Sequence, residues 1–131
     1  MELDGETLQL FIEDSQENMS GIEHDLLAIE AAGENIDDEL VNKVFRAVHS
    51  VKGSAGLIGL KNIRELAHGM ENIMNLIRSK QMAPKPDVIS VLLDSANVLN
   101  GLIKDACSSN GADISELLEK LKSTGLSGYK R

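Results

Sequence analysis

The sequence predicts an all-α fold, an antiparallel up-and-down four-helix bundle with a short fifth C-terminal helix. Two observations support this prediction. Apolar residues recur at three- and four-residue steps along most of the chain, and no segment shows the sustained two-residue alternation of a strand. The connections between these periodic segments are short, and long amphipathic helices joined by short connections favour antiparallel neighbours.

The first helix is predicted from Asp4, which is a suitable N-cap, to about Ala31. Its apolar stripe is interrupted only by Ser15. The stripe consists of Leu8, Ile12, Met19, Ile22, Leu26 and Ile29. Residues 32–37 then supply a turn, and Asp37 provides the N-cap of the next helix.

The second and third helices carry the clearest stripes of the chain. The second is predicted from about Asp38 into the glycine-rich segment 53–59, and the third covers about residues 61–79. The residues expected to point inward are Val41, Val44, Val48, Val51 and Ala55 in the second helix, and Ile63, Leu66, Met70, Ile73 and Ile77 in the third.

Prolines separate the third helix from the fourth. Pro84 and Pro86 cannot lie inside a helix but suit its first turn. The fourth helix is predicted to reach about Ala106, and a loop at residues 108–113 precedes the short fifth helix at 114–122. The residues of the fourth helix that are expected to point inward are Val88, Leu92, Ala96, Leu99 and Ile103. We therefore predict one domain at residues 1–122, followed at 123–131 by the start of a linker or flexible tail.

Composition excludes some function classes and favours one compartment. The net charge is −8, and the chain has one tyrosine, two phenylalanines and no tryptophan. Nucleic-acid binding normally needs a basic patch and often stacking aromatics, so no nucleic-acid partner is expected. No apolar run approaches the ~20 residues that cross a bilayer, and no secretory leader is visible. The lone Cys107 fits a reducing compartment, so we expect a soluble, cytoplasmic protein without a membrane partner.

The most informative segment for function is residues 46–59, because three of its features cost stability. His49 lies one helical step away from the inward Val48, so its ring should reach solvent. Lys52 and Gly53 follow three and four residues later and should lie beside the imidazole. Glycines occur at 53, 56 and 59, and each costs up to ~1 kcal/mol relative to alanine inside a helix.

A histidine that accepts a phosphoryl group would use each of these features. A neutral imidazole nitrogen is a competent nucleophile near pH 7. Lys52 would supply a cation for the phosphoryl oxygens, and Gly53 would leave steric access for the active site of a partner. The pattern thus favours His49 as a phosphoacceptor.

The third helix carries a second pair of polar residues, His68 and Glu71, three residues apart. Glu71 has the same offset from the inward Met70 as His49 has from Val48. If the two helices are antiparallel neighbours, Glu71 can accept a hydrogen bond from the His49 ring. Such a bond would fix the tautomer and raise the basicity of the other ring nitrogen.

Three segments of this sequence resemble histidine phosphotransfer (HPt) domains. VFRAVHSVKGSAGLIGL is similar to their phosphoacceptor segment, FIEDSQENMSGIEHDLLAIE to their first helix and AHGMENIMNLIRSKQM to their third. Within the family, the resemblance is closest to the N-terminal domain of chemotaxis histidine kinases of the CheA type, and it spans about residues 8–105. It implies that His49 is phosphorylated, that Lys52 and His68 flank it, and that Glu71 hydrogen-bonds it.

The resemblance also implies a function and partners. The chain would be a phosphorelay carrier that receives its phosphoryl group from an ATP-binding histidine kinase domain supplied in trans. It would pass that group to an aspartate of a response regulator receiver domain, CheY- or CheB-like, in chemotaxis-type two-component signalling. ATP and magnesium would be bound by the partner domains, and this chain would hold no cofactor and no metal.

The sequence alone does not decide whether the chain is part of an enzyme. Kinases of this type carry ATP-binding, dimerisation and coupling domains that 131 residues cannot hold, and no nucleotide-binding glycine motif is present. The chain is therefore expected to be either an excised N-terminal domain of a protein histidine kinase or a stand-alone carrier.

Two other functions remain as alternatives. One is a metal-binding helical bundle that uses His49, His68 and Glu71, since two histidines and a carboxylate can bind zinc. Against this, carboxylate-bridged bundle sites use Glu-x-x-His pairs from several helices, and the Lys52 cation would repel a metal. The other is an interaction domain without chemistry, which leaves the glycines near a solvent-facing histidine unexplained.

Overall fold

The computed structural model describes residues 4–129. Within that range the chain forms six α-helices and one 3₁₀ segment, and no strand. The α-helices are α1 (Gly5–Met19), α2 (Ile22–Ala32), α3 (Asp38–Leu57), α4 (Lys61–Arg78), α5 (Pro86–Lys104) and α6 (Ser115–Tyr129), and the 3₁₀ segment is Ala106–Gly111. None of these helices has both the length and the apolar character needed to span a membrane.

The helices form the predicted all-α bundle around one core. α3 and α4 make the most extensive contact, α1 and α2 both pack against α3 and α5, and α6 packs on α4 and α5. The inward residues predicted for the second, third and fourth long helices are all buried. These three helices therefore contribute most of the core, and α3 and α4 present their outer faces side by side to solvent.

Capping residues set the start of three helices as the sequence predicts. The Asp4 carboxylate accepts a hydrogen bond from the Thr7 amide at 2.7 Å, and Asp37 accepts one from the Leu40 amide at 3.2 Å. Pro86 occupies the first turn of α5, where the missing amide proton costs nothing. Capping chemistry thus fixes where α3, the helix that carries His49, begins.

The first predicted helix is in fact two helices. α1 ends at Met19 and α2 begins at Ile22, because Gly21 adopts a left-handed conformation with φ +79°. The prediction of one continuous helix from Asp4 to about Ala31 was therefore wrong. The break leaves the spacing of the apolar residues unchanged, which is why periodicity did not reveal it.

The inner face of α1 also differs from the prediction. Leu8 and Ile12 are only half-buried, whereas Phe11 is 6% exposed and Ser15 1% exposed. Residues 11, 15 and 19 follow each other at four-residue steps, so the buried stripe runs along one edge of the predicted one.

The last two elements have different bounds from those predicted. α5 ends at Lys104, and part of the predicted loop forms the 3₁₀ segment. α6 continues to Tyr129 instead of ending near residue 122; it lies against α4, with Leu121 in the core. Residues 123–129 of the predicted tail are therefore helical, and residues 130–131, like 1–3, lie outside the described range.

Candidate functional site

The outer faces of α3 and α4 bring together three residues that the sequence singled out. The Nδ1 atom of His49 contacts Oε2 of Glu71, and Nζ of Lys52 donates a hydrogen bond to Oε1 of the same carboxylate at 2.6 Å. His49 and Lys52 lie one turn apart on α3, and Glu71 faces both from α4. We call these residues the His49–Lys52–Glu71 cluster.

Glu71 is the buried centre of the cluster. Its side chain is 10% exposed, against 59% for His49 and 27% for Lys52. Burial by itself raises the pKa of the Glu71 carboxyl, but hydrogen bonds from Lys52 and His49, together with the charge of Lys52, outweigh burial and lower it below its usual value. Glu71 is therefore ionised at neutral pH and acts as a fixed acceptor.

The contact with Glu71 determines which ring nitrogen of His49 is free. An ionised carboxylate can only accept hydrogen bonds, so Nδ1 carries the proton that it donates to Glu71. Nε2 then holds the lone pair, and more than half of the His49 side chain is exposed to solvent. In the neutral ring, the contact with Glu71 therefore leaves Nε2 as the nitrogen with the free lone pair.

Lys52 has a different immediate role from the predicted one. The sequence suggested a cation for phosphoryl oxygens, whereas in the structure its ammonium group is paired with Glu71 at 2.6 Å. It neutralises part of the carboxylate charge and lies one turn from His49 on the same side of α3.

The structure explains two of the three glycines near His49. Gly59 has φ +78° and ends α3, with the Leu60 amide donating to the Ala55 carbonyl at 2.9 Å. A Cβ at Gly56 would lie 3.1 Å from the Arg64 side chain, whereas a Cβ at Gly53 would meet no atom within 4 Å. Of the three, only Gly53 lacks a reason in the packing of this chain, which fits its predicted role in access.

His68 is less closely connected to the site than the other predicted residues. It is exposed, lies three residues before Glu71 on α4, and lines an open groove between α4 and α6. Within residues 4–129 its ring makes no hydrogen bond or ion pair. The structure therefore places His68 near the cluster but outside its hydrogen-bond network.

Two residues of the site were missed in the sequence. The Phe45 ring stacks on the His49 ring, with centroids 5.8 Å apart and planes 10° from parallel. The Arg78 guanidinium lies over the Phe45 ring, 3.8 Å from its centroid. The four-residue separation of Phe45 and His49 was a readable signal, but the approach of Arg78 depends on how α3 and α4 align.

The metal-binding alternative finds no support in this geometry. Among the described residues, no group of three or more His, Cys, Asp or Glu side chains is arranged to hold a metal ion. His49 and Glu71 instead share a hydrogen bond, and Lys52 occupies the other carboxylate oxygen.

Comparison with known proteins supplies the family. The family model described as "Hpt domain" matches residues 6–124, which is most of the chain. The chain belongs to the Hpt domain family. The matched range includes α2 to α5 of this Hpt domain in full, α1 without its first residue, and α6 without its last residues.

Curated relatives of this Hpt domain include a chemotaxis protein and a sensor histidine kinase. It is 38% identical over 108 residues to "Chemotaxis protein CheA" of Rhizobium meliloti, covering 82% of this chain and 14% of the relative. It is 30% identical over 121 residues to "Sensor histidine kinase CheAY" of Helicobacter pylori, covering 89% of this chain and 15% of the relative. The chain thus spans about one seventh of the length of these relatives.

Solved structures share both fold and sequence features with this Hpt domain. One is the phosphorylated P1 domain of CheA3 in complex with CheY6 from R. sphaeroides, with a TM-score of 0.81 and 25% identity, covering 93% of this chain and 97% of that one. Another is a histidine phosphotransfer domain of CheA in solution, with a TM-score of 0.76 and 25% identity, covering 93% of each chain.

Proposed function

We propose that this Hpt domain is a phosphorelay carrier in chemotaxis-type two-component signalling. His49 accepts a phosphoryl group from an ATP-binding histidine kinase domain and passes it to an aspartate of a response regulator. The observation that carries the proposal is the exposed imidazole whose Nδ1 is held by the buried Glu71, so that Nε2 faces solvent as a free nucleophile.

The first transfer needs no general base in this chain. The Nε2 lone pair attacks the γ-phosphorus of ATP, an N–P bond forms, and the P–O bond to ADP breaks. Nδ1 keeps its proton throughout, so the phosphorylated ring acquires positive charge next to the Glu71 carboxylate. That carboxylate stabilises the charge where it develops, which is the role of a preorganised electrostatic partner.

The second transfer reverses the change on the ring. An aspartate oxygen of the response regulator attacks the phosphorus, the N–P bond breaks, and the electron pair returns to Nε2 as a neutral imidazole. Lys52 lies within one turn of His49 and can balance phosphoryl charge in both directions. ATP and magnesium are bound by the partner domains in this proposal, and the present chain contributes the acceptor and its surroundings.

Partners are proposed by analogy with the relatives. The kinase domain is supplied in trans, in line with similarity to proteins that are about six times as long as this chain. The receiver domain is CheY- or CheB-like, which the complex of a similar P1 domain with CheY6 supports. The same proposal places the protein in the cytoplasm, where the exposed thiol of Cys107 would stay reduced.

The test replaces each of the three histidines of the chain in turn, with the His24 and His68 variants as controls for His49. The protein is incubated with ATP and a chemotaxis-type kinase core, and acid-labile, alkali-stable phosphate is measured for wild type, His49→Gln, His24→Gln and His68→Gln. We expect incorporation to be lost only in His49→Gln. Incorporation that persists in this variant would reject His49 as the acceptor, and no incorporation into wild type by any such kinase core would reject the function.

A further inference from the structure

An aromatic ring packs beside the imidazole of His49 in an offset stack. Phe45 lies one turn earlier on α3, and the two rings are nearly parallel with centroids 5.8 Å apart. This distance lies within the range of favourable aromatic pairs and indicates an offset stack. The stack follows from helix geometry, because side chains lean toward the N-terminal end of their helix and His49 therefore leans over the turn that carries Phe45.

The Phe45 ring is itself held from the neighbouring helix. The Cζ atom of Arg78, in the last turn of α4, lies 3.8 Å from the ring centroid, which is well within cation–π distance. The guanidinium also donates a hydrogen bond through Nη2 to Oδ1 of Asn75 at 2.9 Å. A chain of contacts thus runs from Asn75 through Arg78 and Phe45 to the His49 ring.

These contacts constrain a motion that Glu71 alone does not constrain. The hydrogen bond at Nδ1 fixes one ring atom but leaves the imidazole free to tilt about that atom. A flat ring against one imidazole face limits the tilt, whereas Gly53 leaves the following turn open. The site therefore has a closed side and an open side, and the direction of the Nε2 lone pair depends on both contacts.

We propose that Phe45 and Arg78 are positioning residues for the phosphoacceptor, with Phe45 as a wall that sets the tilt of the His49 ring and Arg78 as the clamp on that wall. The inference rests on the proposed function and adds to it the residues that aim the nucleophile. Phosphoryl transfer depends strongly on the alignment of nucleophile and leaving group, so a ring that samples more orientations reacts more slowly.

The first test compares substitutions that keep or remove the aromatic face. Phe45→Leu removes the ring and keeps apolar volume, Phe45→Tyr keeps the ring, and Phe11→Leu makes the same chemical change at the other phenylalanine, on α1. Two quantities are measured for each: the initial rate of phosphorylation by a kinase core, and the two-bond ¹H–¹⁵N spectrum of the His49 ring, which reports the tautomer.

We expect a specific pattern of results. Phe45→Leu should be phosphorylated about three- to tenfold more slowly, the range that corresponds to loss of one aromatic pair. Its His49 spectrum should show mixed tautomers, because a ring that tilts more freely spends less time in the Nδ1 hydrogen bond to Glu71 that selects the tautomer. Phe45→Tyr should retain the wild-type rate and spectrum. Phe11→Leu should lower the unfolding midpoint without changing the His49 spectrum.

A second pair of variants tests the clamp. Arg78→Met keeps much of the length of the side chain and removes its charge, whereas Arg78→Lys keeps a cation. We expect Arg78→Met to shift the rate and the spectrum in the same direction as Phe45→Leu, but less, and Arg78→Lys to lie closer to wild type. Arg78 is exposed, so neither variant should unfold the domain.

The outcomes separate this inference from the function on which it rests. A wild-type spectrum and rate in Phe45→Leu, or equal slowing by Phe45→Leu and Phe11→Leu, would overturn the role of the wall. An unchanged Arg78→Met would overturn the clamp. If wild type itself accepted no phosphate, the proposed function would fail, and the spectra alone would still decide whether Phe45 orients His49.

Discussion

Glu71 serves two neighbours at once, and its own ionisation links the site to stability. One oxygen accepts from His49 and the other from Lys52, while the side chain is 10% exposed. A carboxylate whose pKa is lowered on folding stabilises the fold above its unfolded pKa, and this contribution is lost as the pH falls through the folded value. Protonating Glu71 would therefore weaken the cluster and the fold together.

The direction of the Glu71 pKa change on folding determines the expected pH dependence of stability. The folded pKa of Glu71 lies below its ordinary value of 4.5. The contribution of Glu71 to the free energy of unfolding should therefore be complete near neutral pH and be lost as the pH falls from 4.5 through the folded pKa. Glu71→Gln should lower the free energy of unfolding by about 1–2 kcal/mol near neutral pH, with the difference from wild type shrinking as the pH falls below 4.5. Urea unfolding across this range measures it.

A matched control for this experiment is Glu119→Gln, which changes an exposed carboxylate on α6. It should show little difference from wild type at any pH. A Glu71→Gln difference that is constant between neutral and acidic pH would contradict the linkage. Slower phosphorylation of Glu71→Gln is also expected, because a neutral amide no longer balances the charge that develops on the ring.

A side chain at Gly53 is expected to affect stability and phosphorylation in opposite directions. A Cβ at this position would contact nothing within 4 Å, and the residue lies inside α3. Gly53→Ala should therefore raise the free energy of unfolding by up to about 1 kcal/mol and nonetheless slow phosphorylation by the kinase core, since the new methyl group lies where the partner approaches.

Gly101 on α5 provides the comparison for Gly53. It is also exposed and inside a helix, and a Cβ there would likewise meet nothing within 4 Å. Gly101→Ala should therefore give the same stabilisation with no change in rate. If both variants were phosphorylated at the wild-type rate, steric access would not explain the glycine beside His49.

At the scale of whole elements, α6 is held to α4 by a close contact next to the site. A Cβ at Gly69 would lie 2.9 Å from Cδ1 and 3.4 Å from Cβ of Leu121, which is 3% exposed. Gly69 lies on α4 between His68 and Glu71, so this helix packs against α6 on one side while it presents the carboxylate on another.

Gly69→Ala should therefore loosen α6. Overpacking costs about 1–3 kcal/mol, against about 1 kcal/mol gained in helix propensity, so the net free energy of unfolding should fall. Hydrogen exchange of the α6 amides should become faster than in wild type, whereas exchange in α3 should change little. A stabilisation equal to that of Gly101→Ala would show that α6 accommodates the methyl group without strain.

The prediction of elements from sequence succeeded where burial alone decides the pattern. The stripes of α3, α4 and α5 are uniformly buried, and each follows a strict helical period. The break at Gly21 escaped because a single left-handed residue changes the direction of the chain without changing the spacing of Met19 and Ile22. Periodicity reports which side of a helix is buried and not whether the axis is continuous.

The sequence predicts those contacts of the site that depend only on the spacing of residues along a single helix. The contact of His49 with Glu71 could be expected from equal offsets on two antiparallel helices, and the structure brings them together. The pairing of Lys52 with Glu71 and the position of Arg78 over Phe45 required the relative alignment of α3 and α4. A single sequence does not give that alignment.

Across the whole molecule, negative charge exceeds positive charge by eight. Such an excess destabilises a compact state through self-repulsion, and salt screens that repulsion. Raising NaCl from about 0.01 M to about 0.15 M, where the screening length falls from ~30 Å to ~8 Å, should therefore raise the unfolding midpoint. Thermal unfolding followed by circular dichroism measures this.

Neutralising part of the excess provides the control for the salt experiment. The double variant Asp94→Asn, Glu119→Gln changes two exposed acids on α5 and α6 and should be less sensitive to salt than wild type. A midpoint that falls with salt in wild type would mean that favourable ion pairs, such as Lys43 with Asp25 at 3.0 Å, outweigh the overall repulsion.

The residues that hold and aim the acceptor, from Phe45 to Arg78, all lie within one helical hairpin formed by α3, a short turn at Gly59 and α4. Closing a loop this short costs little entropy, and contacts between sequence neighbours form early in folding. The hairpin therefore carries all the contacts described for the acceptor, and the remaining helices act on the site only by covering the inner face of this hairpin.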